Sequence, residues 1–409
     1  MKFPLPPDTF PSLNLTAADR DDLENLANVF ISESLRQYQE HREQHHGVVD
    51  GNRWKVVRTK ESLTAYEDKS AHDAARKSST ISQGAVGNLE GGRAKQRLQS
   101  IFVFGTIPGD LDDLMYGMIH PTTEMLKIKT AYMEDKIVDC DVLAALVNPT
   151  PEEPVRGLHL KWSVSEFAPL LLRQIVRPRD FLYLESTGIH VTESGERIGF
   201  NLMHSLEVPG IRELHEYKIV RGSLSICGLY RQKRDGIMEL FVKGFVDPLG
   251  DLNPGIAAVA TSEALMSFGM SIHCAQMKKL NWLLSKSSNA GFKQQRRHNA
   301  RQQQCTVCEK PLRHQSSRKA CRVCSGRMCS HCRVAKRLSF LSPLTRKVVS
   351  KSMWFCTRCV NAACRTNALL VARDEVATAF GAFEMTSSLN SSPSSARSTL
   401  RSMSVDSMM

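Results

Sequence analysis

Cys321-Arg322-Val323-Cys324-Ser325-Gly326-Arg327-Met328-Cys329-Ser330-His331-Cys332 holds two Cys-x-x-Cys pairs separated by only four residues. Cys305/Cys308 precedes them with 12 intervening residues, and Cys356/Cys359 follows after 23. A Cys-x-x-Cys turn aims two thiolates at one tetrahedral cation, and two such turns complete a four-sulfur site. Eight cysteines in 55 residues therefore predict two zinc ions, with Cys305, Cys308, Cys321, Cys324, Cys329, Cys332, Cys356 and Cys359 as ligands. Protein fills every coordination position, so both zincs are expected to be structural. Disulfides are the competing use of such cysteines and need an oxidising compartment. The opening Met1-Lys2-Phe3-Pro4-Leu5-Pro6-Pro7 has no apolar signal core.

The short middle gap followed by a long one resembles a FYVE finger. It resembles a RING less well, because a RING carries a histidine ligand in its middle knuckle. A PHD finger would have a histidine where Cys329 stands. The FYVE resemblance implies interleaved ligands: Cys305, Cys308, Cys329 and Cys332 on one zinc, Cys321, Cys324, Cys356 and Cys359 on the other. It also implies a phosphoinositide face, and here the sequence departs from the family. The Trp-x-x-Asp expected upstream is replaced by Asn299-Ala300-Arg301-Gln302-Gln303-Gln304. The Arg-Arg-His-His-Cys-Arg run reads Ser317-Arg318-Lys319-Ala320-Cys321-Arg322, without either histidine. Trp354-Phe355-Cys356 replaces the terminal Arg-Val-Cys, and the loop Arg313-His314-Gln315-Ser316 offers no apolar wedge. Arg318, Lys319 and Arg322 remain as candidate contacts to phosphate or anionic lipid.

Charge points the same way. Residues 286–364 contain 18 Lys or Arg and one acid, Glu309, a balance of +17 against +12 for the whole chain. Such a field attracts phosphate-bearing surfaces, either anionic membranes or nucleic acid.

Upstream, the order of elements defines a larger domain. Thr16, with Asp19 in the capping-box position, predicts a helix over residues 16–42. Leu23, Leu26, Phe30, Ile31, Leu35 and Tyr38 recur on one of its faces. Strands are expected at 54–57, 63–66 and 101–105, helices at 111–118 and 123–133, and then a long region dominated by strands from 137 to 245. Asn253-Pro254-Gly255 breaks that run, and Ile256–Leu284 reads as one long helix. This order implies an antiparallel sheet against a C-terminal helix, an α+β arrangement.

Arg177-Pro178-Arg179-Asp180-Phe181 with Trp162 upstream, and Asp247-Pro248-Leu249-Gly250 leading to Pro254, resemble two motifs of START lipid-transfer domains. The resemblance covers about Trp54–Leu284 and implies a helix-grip fold enclosing an apolar tunnel for one lipid. Leu265, Phe268 and Ile272 on the last helix are then candidate wall residues; plain core packing is the competing use of such a helix.

The expected organisation is an N-terminal helical segment (1–53), a START-like domain (54–284) with a mobile insertion (67–96), and a basic linker (285–304). A FYVE-like finger (305–364) and a mostly disordered Ser-rich tail (365–409), opening with a short helix over Arg365–Phe383, follow. No run of 18 uninterrupted apolar residues occurs. Scattered Cys140, Cys227, Cys274 and Cys364 fit a reducing cytoplasm. No Gly-x-Ser-x-Gly, Walker loop or Gly-x-Gly-x-x-Gly is found, and His190, His204, His215 and His273 stand isolated. The sequence thus favours a non-enzymatic, cytoplasmic lipid-binding protein, peripheral on membranes such as endosomes. A RING-like ubiquitin ligase, a nucleic-acid binder and a protein-interaction adaptor are the alternatives. The few aromatics of the basic segment argue against base stacking.

Overall fold

A computed structural model describes residues 3–6, 9–69, 100–133, 136–166, 177–249, 254–287, 294, 299, 303–312, 319–342 and 344–390, with side chains to 379. The expected insertion beyond residue 69, most of the basic linker, the 313–316 loop, Arg318 and the tail from 391 lie outside these residues.

The chain opens with helix α1 (Ala17–Glu43) and the strands β1 (Trp54–Lys60), β2 (Leu63–Asp68) and β3 (Ile101–Pro108). Two short helices follow, α2 (Leu111–Met118) and α3 (Thr123–Met133). Then come β4 (Ile137–Val147), β5 (Gly157–Ser165), β6 (Arg179–Val191), β7 (Arg197–Ser205), β8 (Val220–Arg221), β9 (Ser223–Arg234) and β10 (Ile237–Asp247). The strands form one sheet in the order β1-β2-β3-β10-β9-β7-β6-β5-β4, antiparallel along this path, with β8 beside β6 in parallel. The last helix of this part is in two pieces, α4 (Pro254–Met266) and α5 (Ser271–Lys286), joined by a 3-10 turn at Ser267–Met270. The result is an α+β helix-grip: a broad antiparallel sheet holding a long C-terminal helix.

Local chemistry explains the elements. The N-cap of α1 is the expected capping box, with the Asp19 N–H donating to Thr16 Oγ1 (3.2 Å) and the Thr16 N–H to Asp19 Oδ2 (2.8 Å). Strand alternation then sorts side chains to two faces. On β10, Met238, Leu240 and Val242 face the grip, while Phe241 faces α1. On β3, Ile101 and Val103 face the grip and Phe102 faces α1. Ala27, Ile31 and Tyr38 seal α1 over that second face, and the Tyr38 hydroxyl donates to Glu239 Oε1 at 2.7 Å. The β9–β10 hairpin turns at Asp235-Gly236, where Gly236 takes φ +68°, a conformation open to glycine at no steric cost.

Gly255–Lys286 is long and apolar enough to cross a bilayer by length and composition. In the fold this helix is a packed element. Leu265, Met266 and Ala275 enter the grip core, whereas Ile256 and Val259 on the same helix are exposed. Contact with α2 is at backbone range: a Cβ at Gly117 would lie 1.8 Å from Ser271 O.

The finger consists of the cysteine knuckles, a hairpin of β11 (Arg333–Leu341) and β12 (Val348–Cys356), and α6 (Thr357–Arg365). It packs against the grip. Val323, Met328, Leu338, Phe355 and Ala363 of the finger share one core with Tyr132 and Met133 of α3 and Cys274, Met277 and Leu280 of α5. After the finger, α7 (Ala368–Asn390) returns to the larger domain, inserting Ala368, Val371 and Ala372 into the grip core. The short helix expected over Arg365–Phe383 is thus present, and it runs on as far as Asn390, into the stretch the sequence reading expects to be disordered.

Candidate metal centres and interior of the grip

The eight cysteines form two tetrads, Cys305/Cys308/Cys329/Cys332 and Cys321/Cys324/Cys356/Cys359. Within each, all sulfurs lie within 4.8 Å of one another. First pair joins third and second joins fourth, a cross-brace. The fit to a tetrahedral cation can be tested by distance. A zinc–sulfur bond of about 2.3 Å requires sulfurs about 3.8 Å apart. Cys308 and Cys329 stand 3.8 Å apart, and Cys324 and Cys356 stand 3.9 Å apart. Backbone N–H groups also point at the sulfurs: Cys329 N–H at Cys305 Sγ (3.5 Å) and Cys359 N–H at Cys356 Sγ (3.4 Å).

The knuckles are built locally. Glu309 N–H returns to Cys305 O at 2.9 Å, and Ser325 N–H to Cys321 O at 2.8 Å. Glu309 and Ser325 pass through positive φ, +59° and +57°, to close these turns. Cys356 is both a tetrad member and the N-cap of α6, so its sulfur sits where a helix favours negative charge. Eight thiolates at these spacings suit a soft, tetrahedral divalent ion.

Of the proposed phosphate contacts, Lys319 and Arg322 are exposed. Lys319 Nζ lies 4.0 Å from the centroid of the Trp354 ring, and the Arg322 N–H donates to Trp354 O at 3.0 Å. Arg333, which the sequence reading passed over, approaches the same ring at 5.1 Å. Trp354 thus becomes the centre of a small cationic cluster.

In the grip, Leu265 is fully buried, and Phe268 and Ile272 are half-buried against the same core. The two sequence motifs that suggested the domain touch each other. Arg179 Nε and Nη2 reach Pro248 O and Leu249 O, each at 3.2 Å, tying β6 to the turn before the last helix. Asp180 Oδ2 accepts from Trp162 Nε1 (2.8 Å) and Arg221 Nη2 (2.8 Å).

The sequence reading missed a row of buried polar groups on the inner face of the sheet. On β5, Leu158, Leu160, Trp162 and Val164 face one way, and His159, Lys161, Ser163 and Ser165 the other; all eight are buried. Lys161 pairs with Glu185 of β6. Burial pushes the Lys161 ammonium below its ordinary pKa, against the opposing pull of Glu185. It also pushes His159 down to about 3, so that imidazole is neutral at physiological pH. Across the sheet, Thr187, Asn201 and Gly228 are in register on the same face. A Cβ at Gly228 would lie 2.2 Å from Tyr230 Oη, so the missing side chain lets this hydroxyl lie over Gly228, beside Asn201. Among the described residues, the side-chain atoms buried without a hydrogen-bond partner include three of this row, His159 Nε2, Asn201 Oδ1 and Tyr230 Oη, beside His41 Nε2, Tyr116 Oη and Asp180 Oδ1.

No family model and no curated protein matches the sequence. Among solved structures the chain is similar to human StAR-related lipid transfer protein 5, with 12% identity over 62% of this chain and 97% of that one, TM-score 0.40. It is also similar to human STARD10, with 11% identity over 69% and 88%, TM-score 0.38. A STAR-related lipid transfer protein fragment from Xanthomonas axonopodis gives 14% identity over 54% and 98%, TM-score 0.35.

Proposed function

We propose that this chain is a non-enzymatic lipid-binding protein that works at the cytoplasmic surface of membranes such as endosomes. Its grip holds one amphiphilic lipid, and its FYVE-like finger holds two zinc ions. The observation that carries the lipid reading is the inner polar row. Burying a hydroxyl, amide or imidazole without a partner costs roughly 1–3 kcal/mol per group. Three such atoms, on His159, Asn201 and Tyr230, face the inside of a sheet whose remaining inner side chains are largely apolar. A lipid fits that division, with its polar group against the Lys161–Glu185 end and its chain along Leu265, Phe268 and Ile272.

The sulfur spacing and the cross-brace support zinc in the finger. Lys319, Arg322 and Arg333 around Trp354 give it a cationic face for anionic lipid. Exposed Ile256 and Val259 on α4 supply an apolar contact for the same membrane.

Native mass spectrometry of the full chain tests both halves. The expected mass exceeds the apo polypeptide by two zinc ions and one lipid. Phe268→Asp is expected to leave the zinc count unchanged and abolish lipid capture, because it places a charge on the wall. A chain that takes up neither sterol nor phospholipid from vesicles, with ordered water on the three polar atoms, overturns the lipid reading. A count below two zincs overturns the finger reading.

A further inference from the structure

We infer that α7, delivered by the second cysteine tetrad, is a structural wall of the grip, so that metal on that tetrad controls how tightly the grip is closed. A continuous series of contacts runs from the sulfurs to the interior of the sheet domain. Cys356 caps α6 and Cys359 lies in its first turn, so an ion on the tetrad fixes the start of this helix. The other end of α6 is held from the grip. Lys279 of α5, 1% exposed, donates to Cys364 O (2.8 Å) and Thr366 O (3.1 Å), and its third contact is Asp113 Oδ1 of α2 at 2.7 Å. One ammonium thus joins the end of α6 to two helices of the grip.

Helix α7 starts two residues later. Ala368, Val371 and Ala372 are at most 2% exposed, and they belong to the same core as Leu114, Tyr116 and Ala275. Small side chains at 368 and 372 let the helix approach closely, and Val371 fills the space between. Farther along, Asp374 accepts from Trp282 Nε1 at 2.7 Å and pairs with Lys286 at 2.6 Å, while Arg373 Nε reaches Pro151 O at 3.1 Å. The described part of α7 is therefore fastened on both sides. Without the ion, α6 loses its fixed start, and the Lys279 contacts and the seating of α7 weaken together.

The effect on lipid exchange rests on the reading of the grip proposed above; the coupling of metal to α7 does not. The experiment is hydrogen exchange on the full chain, zinc-loaded and after chelation, run beside release of a fluorescent lipid. Chelation is expected to speed amide exchange about a hundredfold in 368–379 and measurably in α5 and α2. Lipid release should accelerate in parallel. Asp374→Asn and Val371→Asp, both with all eight cysteines intact, are expected to speed release in the zinc-loaded protein, the second more than the first. Concerted loss of protection in finger, α7 and sheet supports the inference as well, because an independent finger would leave the sheet protected. Unchanged protection of α7 and α5 after complete metal removal overturns it. Faster exchange of α7 in a chain that captures no lipid supports the coupling and overturns the lipid reading alone.

Discussion

The grip and the finger reach a defined fold by different routes. The grip buries two faces of a ten-stranded sheet, one under α1 and the other around the C-terminal helix, so its order follows from apolar alternation over nearly 200 residues. The finger has about a quarter of that length and few large apolar side chains. Its topology is written in cysteine spacing, and metal binding at such a site supplies on the order of 10 kcal/mol of folding free energy. Yet its few apolar residues, Val323, Met328, Leu338 and Phe355, do not close a core by themselves. They close one with Tyr132, Met133, Met277 and Leu280 of the grip. The Ser339 N–H donates to Tyr132 Oη at 2.7 Å across the same junction. The comparison teaches that thiolates fix which residues of the finger come together, while the grip decides how the finger is oriented.

The sharpest way to break that comparison is at Lys279. A buried cation serving Asp113 and two carbonyls cannot be removed without stranding them. Lys279→Met is expected to cost roughly 3–5 kcal/mol, the usual result of leaving one buried partner uncompensated. Urea unfolding followed by tryptophan fluorescence reads the loss in two variants that each keep one of the chain's four tryptophans, Trp282 of the grip or Trp354 of the finger. If the two parts depend on each other, both signals shift to the same lower midpoint. Lys279→Met with Asp113→Leu should recover part of the loss, since the stranded carboxylate is gone while the Cys364 and Thr366 carbonyls stay unpaired. A shift confined to one of the two single-tryptophan reporters would show that the finger is a separate unit.

These junctions mark the limit of what the sequence discloses. Thr16 and Asp19 announce α1, Asp235-Gly236 announces a hairpin, and four Cys-x-x-Cys pairs announce the finger, because each signal is local. The seating of the finger is carried by ordinary residues such as Tyr132 and Met277, whose partners lie far away in the chain. The polar row was hidden for a different reason. Leu158-His159-Leu160-Lys161-Trp162-Ser163-Val164 alternates like a half-exposed strand, and the rule sends His159, Lys161 and Ser163 to solvent. Here both faces of β5 are covered, and the polar face points inward. Strict alternation in a doubly buried strand is itself a pointer to a polar interior, but only once the second layer is known.

That interior gives the grip a pH response of its own. His159 sits at about 3, well below its ordinary 6.5, because burial disfavours the imidazolium. Between these values the unfolded chain binds a proton that the folded chain does not, so stability rises with pH across the window. The contribution is whole above about pH 6.5 and is lost as pH falls towards about 3, amounting to about 2 kcal/mol by about pH 5. Urea midpoints at falling pH should therefore drop more steeply for the wild type than for His159→Asn. Equal slopes would mean that His159 is hydrated in the folded state, and that the inner row admits water. A lipid that hydrogen-bonds the neutral ring should raise the wild-type midpoint across this window without changing its slope, because it binds the folded state alone and the ring there is already neutral.

The smallest effects belong to the finger's outer surface, where the comparison can be sharpened by salt. The grip is held by burial, which salt screens little, whereas Lys319, Arg322 and Arg333 act across water. Exposed charges are screened within about 8 Å at physiological ionic strength, and each basic residue near an anionic leaflet contributes only about 1 kcal/mol. Lys319 already lies over the ring of Trp354. Attraction without a shaped pocket should treat phosphatidylserine and several phosphoinositides alike. Vesicle sedimentation is expected to show about fivefold weaker binding for each of Lys319→Ala, Arg322→Ala and Arg333→Ala. Raising salt to about 0.5 M should remove most of the remaining binding. The apolar contact through Ile256 and Val259 should resist salt, so Ile256→Ser is expected to matter more at high ionic strength than at low. If the wild type instead prefers phosphatidylinositol 3-phosphate over its isomers tenfold, and keeps that preference in about 0.5 M salt, charge alone cannot be the reader. The Lys319–Trp354–Arg333 cluster would then have to rearrange into a stereospecific pocket on binding.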